Sequence, residues 1–288
     1  MYSNITGGKA MHIITIGMNK GGTGKTTITF NFVYKLSRMG KRVLLIDGDH
    51  STNLTFTMQV IANTIYNEES ILDIFTKKRK ELFQQDLSMI YEINENISFI
   101  PGNPNLTEKY LKMNENVQKG KLMSRWIATN YEILNENFDY IIIDTHNDES
   151  LITQDFYVAS DIIIAVANPA GNSVRAYFQL KNLIKNMEEE YYNTETGESL
   201  VEAKIYLLGN NVNHIGSTSR TFNEEIQHID DLIGVIPKKE LLDSSLNINE
   251  DIFTQYDKMS NAEKHRNQAF YDNINQTFEK IINLAEGA

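Results

Sequence analysis

The sequence predicts an α/β fold, a doubly wound, mostly parallel sheet with helices on both faces. Three observations carry this expectation. Seven short runs of Ile, Val and Leu recur along the chain without polar alternation, as strands buried on both faces of a parallel sheet require. Stretches of helical periodicity separate them, and strands that alternate with helices wind into such a sheet. The first strand also runs through a glycine-rich loop directly into a helix.

In chain order the strands are expected at 13–17, 43–47, 97–100, 140–144, 162–167, 205–209 and 232–236. Helices are expected at 25–40, closed by a glycine stop, and at 105–113, 121–134, 173–187, 217–229 and 261–284. All four prolines, Pro101, Pro104, Pro169 and Pro237, follow apolar runs, where strands end. The polar stretch 191–200 reads as a surface excursion. Residues 1–10 read as an N-terminal extension and 11–288 as one domain.

Composition narrows the chemistry. The chain has 288 residues and no cysteine, which excludes disulfides, thiolate nucleophiles and iron–sulfur ligation and suits a reducing, cytoplasmic setting. No apolar run approaches the ~18 residues of a membrane span, and the start of the chain lacks a signal-peptide pattern. The formal charge of −11 repels nucleic acid and anionic lipid, so any DNA contact needs a local basic patch.

The loop after the first strand reads Gly17-Met-Asn-Lys-Gly-Gly-Thr-Gly-Lys-Thr-Thr27. A strand, this loop and a helix together make a phosphate site. Gly21, Gly22 and Gly24 let backbone N–H groups turn inward, and the helix N-terminus adds its positive end. Thr23 and Thr27 complete the loop. Lys25 is expected on the β- and γ-phosphates of ATP, and Thr26 on Mg²⁺. Asn19 stands where the generic pattern has its first glycine, and Lys20 adds a second lysine. Asp47 and Asp49 end the second strand, and Asp144 ends another. Parallel sheets bind ligands at these strand ends. Asp47 and Asp144 are therefore expected to hold the metal through water, and Asp49 to position the attacking water.

With these residues in hand, the chain resembles the ParA/MinD family of deviant Walker A ATPases, and within it the plasmid and chromosome partition proteins. The small plasmid-borne forms, such as the delta type of Gram-positive hosts, are the nearest in build. The resemblance runs from about residue 11 over nearly the whole chain. It implies that Lys20 reaches across an ATP-sandwiched homodimer, and that Asp49 supports hydrolysis. It also implies that Asp144 is the Walker B acid, and that Asn210, Pro237 and Lys238 lie at the adenine. The stretches 97–111 and 233–245 carry the family's later pattern. The implied activity is a weak ATPase, cytoplasmic and nucleoid-associated when ATP-bound, that is stimulated by a centromere-binding ParB-like partner and binds non-specific DNA without a membrane.

Two positions depart from that pattern. His50-Ser51 replaces the usual Pro-Gln, and His146-Asn147 replaces Pro-Pro. Either both histidines tune hydrolysis near the γ-phosphate, or these loop positions need only a polar side chain. His12, His214, His228 and His265 have no metal-ligand spacing.

The phosphate loop begins too early for a preceding helix-turn-helix domain, so DNA binding is expected to rest on phosphate contacts. Arg220, Lys238, Lys239, Lys264 and Arg266 are the candidate contacts. Further basic clusters fall at 77–80 and at Lys119, Lys121 and Arg125. Two alternatives remain: a membrane-cycling ATPase using the last helix, whose Phe270, Ile274, Phe278, Ile281 and Ile282 form an apolar stripe, and a metabolic ligase or synthetase.

Overall fold

The computed structural model describes residues 10–64, 69–76, 85–112, 120–213 and 216–287. The basic cluster at 77–80, Lys119, His214 and residues 1–9 of the N-terminal extension lie outside them. In chain order the elements are β1 (His12–Gly17), α1 (Lys25–Arg38), β2 (Val43–Gly48), α2 (Asn53–Ala62), α3 (Ile71–Thr76), β3 (Tyr91–Asn94) and β4 (Ile97–Ile100). Next come α4 (Leu106–Leu111), α5 (Leu122–Thr129), α6 (Tyr131–Asn137), β5 (Tyr140–Thr145), α7 (Leu151–Val158), β6 (Ile162–Ala167) and α8 (Ser173–Glu190). The chain closes with β7 (Lys204–Val212), α9 (Ser217–Ile226), β8 (Leu232–Pro237), α10 (Glu240–Ser244), α11 (Ile252–Lys258) and α12 (Asn261–Glu286).

The eight strands form one sheet in the order β3-β4-β2-β5-β1-β6-β7-β8. Every pairing is parallel except that of β3 with β4. Successive side chains of a strand point to opposite faces, and both faces are covered. On one face Ile14, Ile16, Leu45, Ile142 and Ile164 pack with Phe32 of α1 and Phe278 of α12. On the other, Ile13, Leu44, Ile46 and Ile141 meet α3 to α7, and Ile163 and Leu207 meet α8 and α9. This two-sided burial explains why the strand runs show no alternation.

The expected strands all form. β3 was not expected. It pairs with β4 through the two-residue turn Glu95-Asn96, where the Asn94 Oδ1 accepts from the N–H groups of Asn96 and Ile97 at 3.0 and 2.9 Å. The single helix expected at 121–134 is two, α5 and α6. Asn130 divides them, its side chain donating to the Trp126 carbonyl at 2.8 Å and accepting from the Asp86 N–H at 3.1 Å. The excursion at 191–200 is anchored, with Tyr191 buried and Tyr192 bridged to Ser199. α12 starts with a capping box between Ser260 and Glu263. Its stripe of Phe270, Ile274, Phe278, Ile281 and Ile282 is buried against the sheet, so this face is not presented to lipid. Among the described residues no helix is long and apolar enough to cross a membrane.

Candidate functional site

The carboxyl ends of β1, β2, β5, β6 and β7 bring the site together. β1 lies between β5 and β6, so the loop leaving Gly17 rises at the centre of that edge. Gly22 and Gly24 take left-handed φ values of 71° and 91°, which only glycine adopts without strain. Gly21 does not. Its constraint is the Asn147 amide, 3.0 Å from where a Cβ would stand.

Lys25 opens α1 and is only 8% exposed. Among the described residues its ammonium has one hydrogen bond, to the Lys20 carbonyl at 3.4 Å. Burial lowers its pKa, while the charges of Asp144, Asp49 and Asp148 oppose the shift. A buried ammonium with so long a hydrogen bond could hold an anion. Among the described residues the buried Thr23 hydroxyl in the same loop has no hydrogen-bond partner, so it could meet a ligand there.

Thr26 donates to Asp144 Oδ2 at 2.7 Å, and Thr29, one turn further along α1, donates to Oδ1 at 2.8 Å. Asp144 is fully buried, and its pKa rises to about 7 through burial first and the neighbouring Asp47 charge second. Thr26, Thr29 and Lys25 pull it back down. A hydroxyl and a carboxylate side by side are hard oxygen donors, which suit Mg²⁺.

Asp47 pairs in register with Asp144 across β2 and β5. Burial lifts its pKa to about 6. Its carboxylate accepts from the Asp49 N–H at 3.1 Å and from the Thr55 N–H and hydroxyl at 2.9 and 2.6 Å. Both oxygens are thus engaged, and the visible work of Asp47 is to fix the turn that carries Asp49. Asp49 accepts from the Ser51 N–H at 2.7 Å, and its Oδ1 lies 2.9 Å from the His146 Nδ1.

Lys20 stands at the outer rim of the loop. Its ammonium donates to the Gly171 carbonyl at 2.5 Å and to the Ser173 hydroxyl at 2.9 Å, and burial lowers its pKa. The segment after β6 also holds the loop through Asn168, whose amide donates to the Gly22 carbonyl at 2.9 Å. This rim was not foreseen. Its one signal was a polar Asn168 at a strand's carboxyl end. Thr29 could have been found from its three-residue spacing to Thr26 on one helical face.

Asn210, near the carboxyl end of β7, is buried and donates to the Thr23 carbonyl at 2.8 Å, while its Oδ1 has no partner among the described residues. The strand that contains it therefore buttresses the loop and leaves an acceptor free. Pro237 ends β8, and the Lys238 N–H donates to the Val212 carbonyl at 3.0 Å.

Of the candidate basic residues, Lys264 and Arg266 stand on the first turns of α12 and Lys239 packs against it. Arg220, Pro237 and Asn273 line one groove. Lys239 lies over the Phe270 ring, 5.9 Å from its centroid, and Arg266 is one helical turn from Phe270. Lys264 lies over Tyr256 at 5.2 Å. Lys121 is instead over Tyr191, away from this group.

Residues 11–196 match the family model of the AAA domain. The sporulation initiation inhibitor protein Soj of Bacillus subtilis is 27% identical over 64% of this chain and 68% of its own length. A structure described as a plasmid partition protein of Borrelia burgdorferi bound to AMPPNP superposes with a TM-score of 0.69 at 22% identity, covering 94% of this chain and 99% of that one. The septum site-determining protein MinD of Pyrococcus horikoshii, complexed with Mg-ADP, gives 0.65 at 20% identity over 96% and 97%. At these identities the two structures establish the fold. With the domain match, the relative and the loop geometry together, the chain belongs to the AAA-domain family, in its ParA/MinD group of P-loop ATPases.

Proposed function

We propose that this chain is an ATP-gated partition ATPase: it binds Mg-ATP, closes into a homodimer around the nucleotide, binds non-specific DNA, and hydrolyses ATP when a centromere-binding partner stimulates it. The observation that carries the reading is the division of labour between two lysines of one loop. Lys25 points inward with a single 3.4 Å hydrogen bond, and Lys20 sits at the rim.

Backbone N–H groups of residues 20–27 and the Lys25 ammonium would hold the triphosphate, and Thr26 with Asp144 would hold Mg²⁺. The ion supplies positive charge to the phosphate oxygens where negative charge builds in phosphoryl transfer. Asp144 is kept close to the Thr26 hydroxyl by two threonines, so the chelating pair is set before the metal arrives. Asp49, fixed by the Asp47 turn, would orient the attacking water. Lys20 would leave Gly171 and Ser173 for the partner subunit's nucleotide. Two rim lysines brought face to face repel unless a triphosphate lies between them. Closure is thereby tied to ATP.

The test combines light scattering with DNA retention, with and without Mg-ATP. Wild type should dimerise and retain DNA only with nucleotide. Lys20→Ala should bind ATP with ordinary affinity but neither dimerise nor retain DNA. An unchanged ATP-dependent dimer in that variant would refute the trans role of Lys20. The likeness to MinD supports membrane cycling as a second reading, and ATP-dependent retention on anionic liposomes in place of DNA would favour it.

A further inference from the structure

Two histidines that depart from the expected loop pattern come together although nearly a hundred residues separate them. His50 follows β2 and His146 follows β5, and the rings meet with centroids 4.1 Å apart. Asp49 completes the cluster through its Oδ1, 2.9 Å from the His146 Nδ1. One ligand atom from each of Asp49, His50 and His146 lies within 4.8 Å of the others. All three are partly exposed, so an ion has a way in.

We propose that Asp49, His50 and His146 form a site for a late first-row divalent cation, of the Zn²⁺ class, separate from the Mg²⁺ pair of Thr26 and Asp144. The spacing suits it. At Zn–N and Zn–O bonds of about 2.0–2.1 Å, ligand atoms around a tetrahedral ion stand roughly 3.3 Å apart. The Asp49–His146 pair is already near that separation, and the remaining ligand closes the gap by side-chain rotation. The donor set decides the metal. Two imidazoles and one carboxylate are borderline ligands that select Zn²⁺, Ni²⁺ or Co²⁺ over Mg²⁺. Three protein ligands also leave a coordination position open, as in reactive rather than purely structural sites.

Outer contacts orient two of the ligands. The Ser51 N–H holds the Asp49 carboxylate at 2.7 Å. The Thr107 hydroxyl lies 3.4 Å from the His50 Nδ1, leaving the His50 Nε2 for the ion. The cluster is also anchored to the sheet, because the Asp49 N–H is bound by Asp47 at the end of β2. The inference goes beyond the ATPase reading and does not need it, since the ligands are present without nucleotide.

The experiment is a Zn²⁺ titration against a chromophoric chelator, without nucleotide and in millimolar Mg²⁺ to fill weaker oxygen sites. Wild type should take one equivalent of Zn²⁺. His50→Gln and His146→Gln should each weaken it by at least ~10-fold, and the double variant should lose it. As a check on wild type alone, Co²⁺ should give visible absorption bands that one equivalent of Zn²⁺ bleaches. No bound equivalent in wild type, or the same affinity in the double variant with its fold confirmed by circular dichroism, would overturn the proposal.

Discussion

The side chains that matter most here are those held in place by a neighbour rather than by their own loop. Asp49 depends on the buried Asp47, whose oxygens are taken by Thr55 and by the Asp49 N–H itself. Removing the Asp49 carboxylate should therefore keep the Asp47 anchor and the nucleotide pocket, losing only its contacts to the Ser51 N–H and His146, while stopping hydrolysis. On the proposed function, Asp49→Ala is expected to cut turnover by about 10²-fold or more and to accumulate the proposed ATP-bound, DNA-retaining dimer. Single-turnover phosphate release read alongside DNA retention tests this, and ordinary turnover would contradict the assignment. The glycine-rich loop marked Lys25 and Thr26 as candidates, and the apolar run 140–144 separately marked Asp144, which the fold brings to the Thr26 hydroxyl. The rim that holds Lys20 was not legible, because Gly171 and Ser173 arrive from about 150 residues away and only the folded sheet puts them beside the loop.

Among the elements, the helices were harder to read than the strands. A run such as 162–167 has one reading when both faces are buried, whereas α2 and α7 begin immediately after site loops whose polar residues hide the helical period. The short α5 is held from outside. Asp155 of α7 accepts from the N–H groups of Leu122 and Met123 at 3.1 and 2.8 Å and from the Tyr110 hydroxyl at 2.9 Å. Burial raises the Asp155 pKa to about 6, against the pull of those donors. Between the ordinary carboxylate range near 4 and about 6, the folded chain keeps a proton that the unfolded chain has lost. This group's contribution to stability therefore grows as pH falls through 6 and is smallest above it. Urea unfolding of wild type and Asp155→Asn should show the difference moving in favour of wild type between about pH 7.5 and about pH 4.5. α12 is secured differently, by apolar packing. Phe278 is fully buried, with its ring edge-on to Phe32 at 5.2 Å. Phe278→Ala should cost about 3–5 kcal/mol, seen as a lower urea midpoint with an unchanged slope.

On the scale of the whole molecule, the charge of −11 opposes the proposed contact of DNA with basic residues such as Lys239 and Lys264. On the proposed partition function, DNA affinity of the ATP-bound form should fall steeply with salt. If Lys238 and Lys239 touch phosphates, replacing both with Ala should reduce the slope of log affinity against log salt by about 2. An unchanged slope would place the DNA surface elsewhere. The position of β1 has a further consequence, for how the protein is made. β1 lies between β5 and β6, whose residues are synthesised well over a hundred positions after it. A ribosome adding about 5–20 residues per second leaves that strand without either neighbour for roughly ten seconds. During this interval the apolar run at 13–17 has no sheet to join, and the nascent chain cannot yet grip a nucleotide. The strand order thus delays the burial of this run, which is complete only once α12, packing Phe278 on the same face, has emerged.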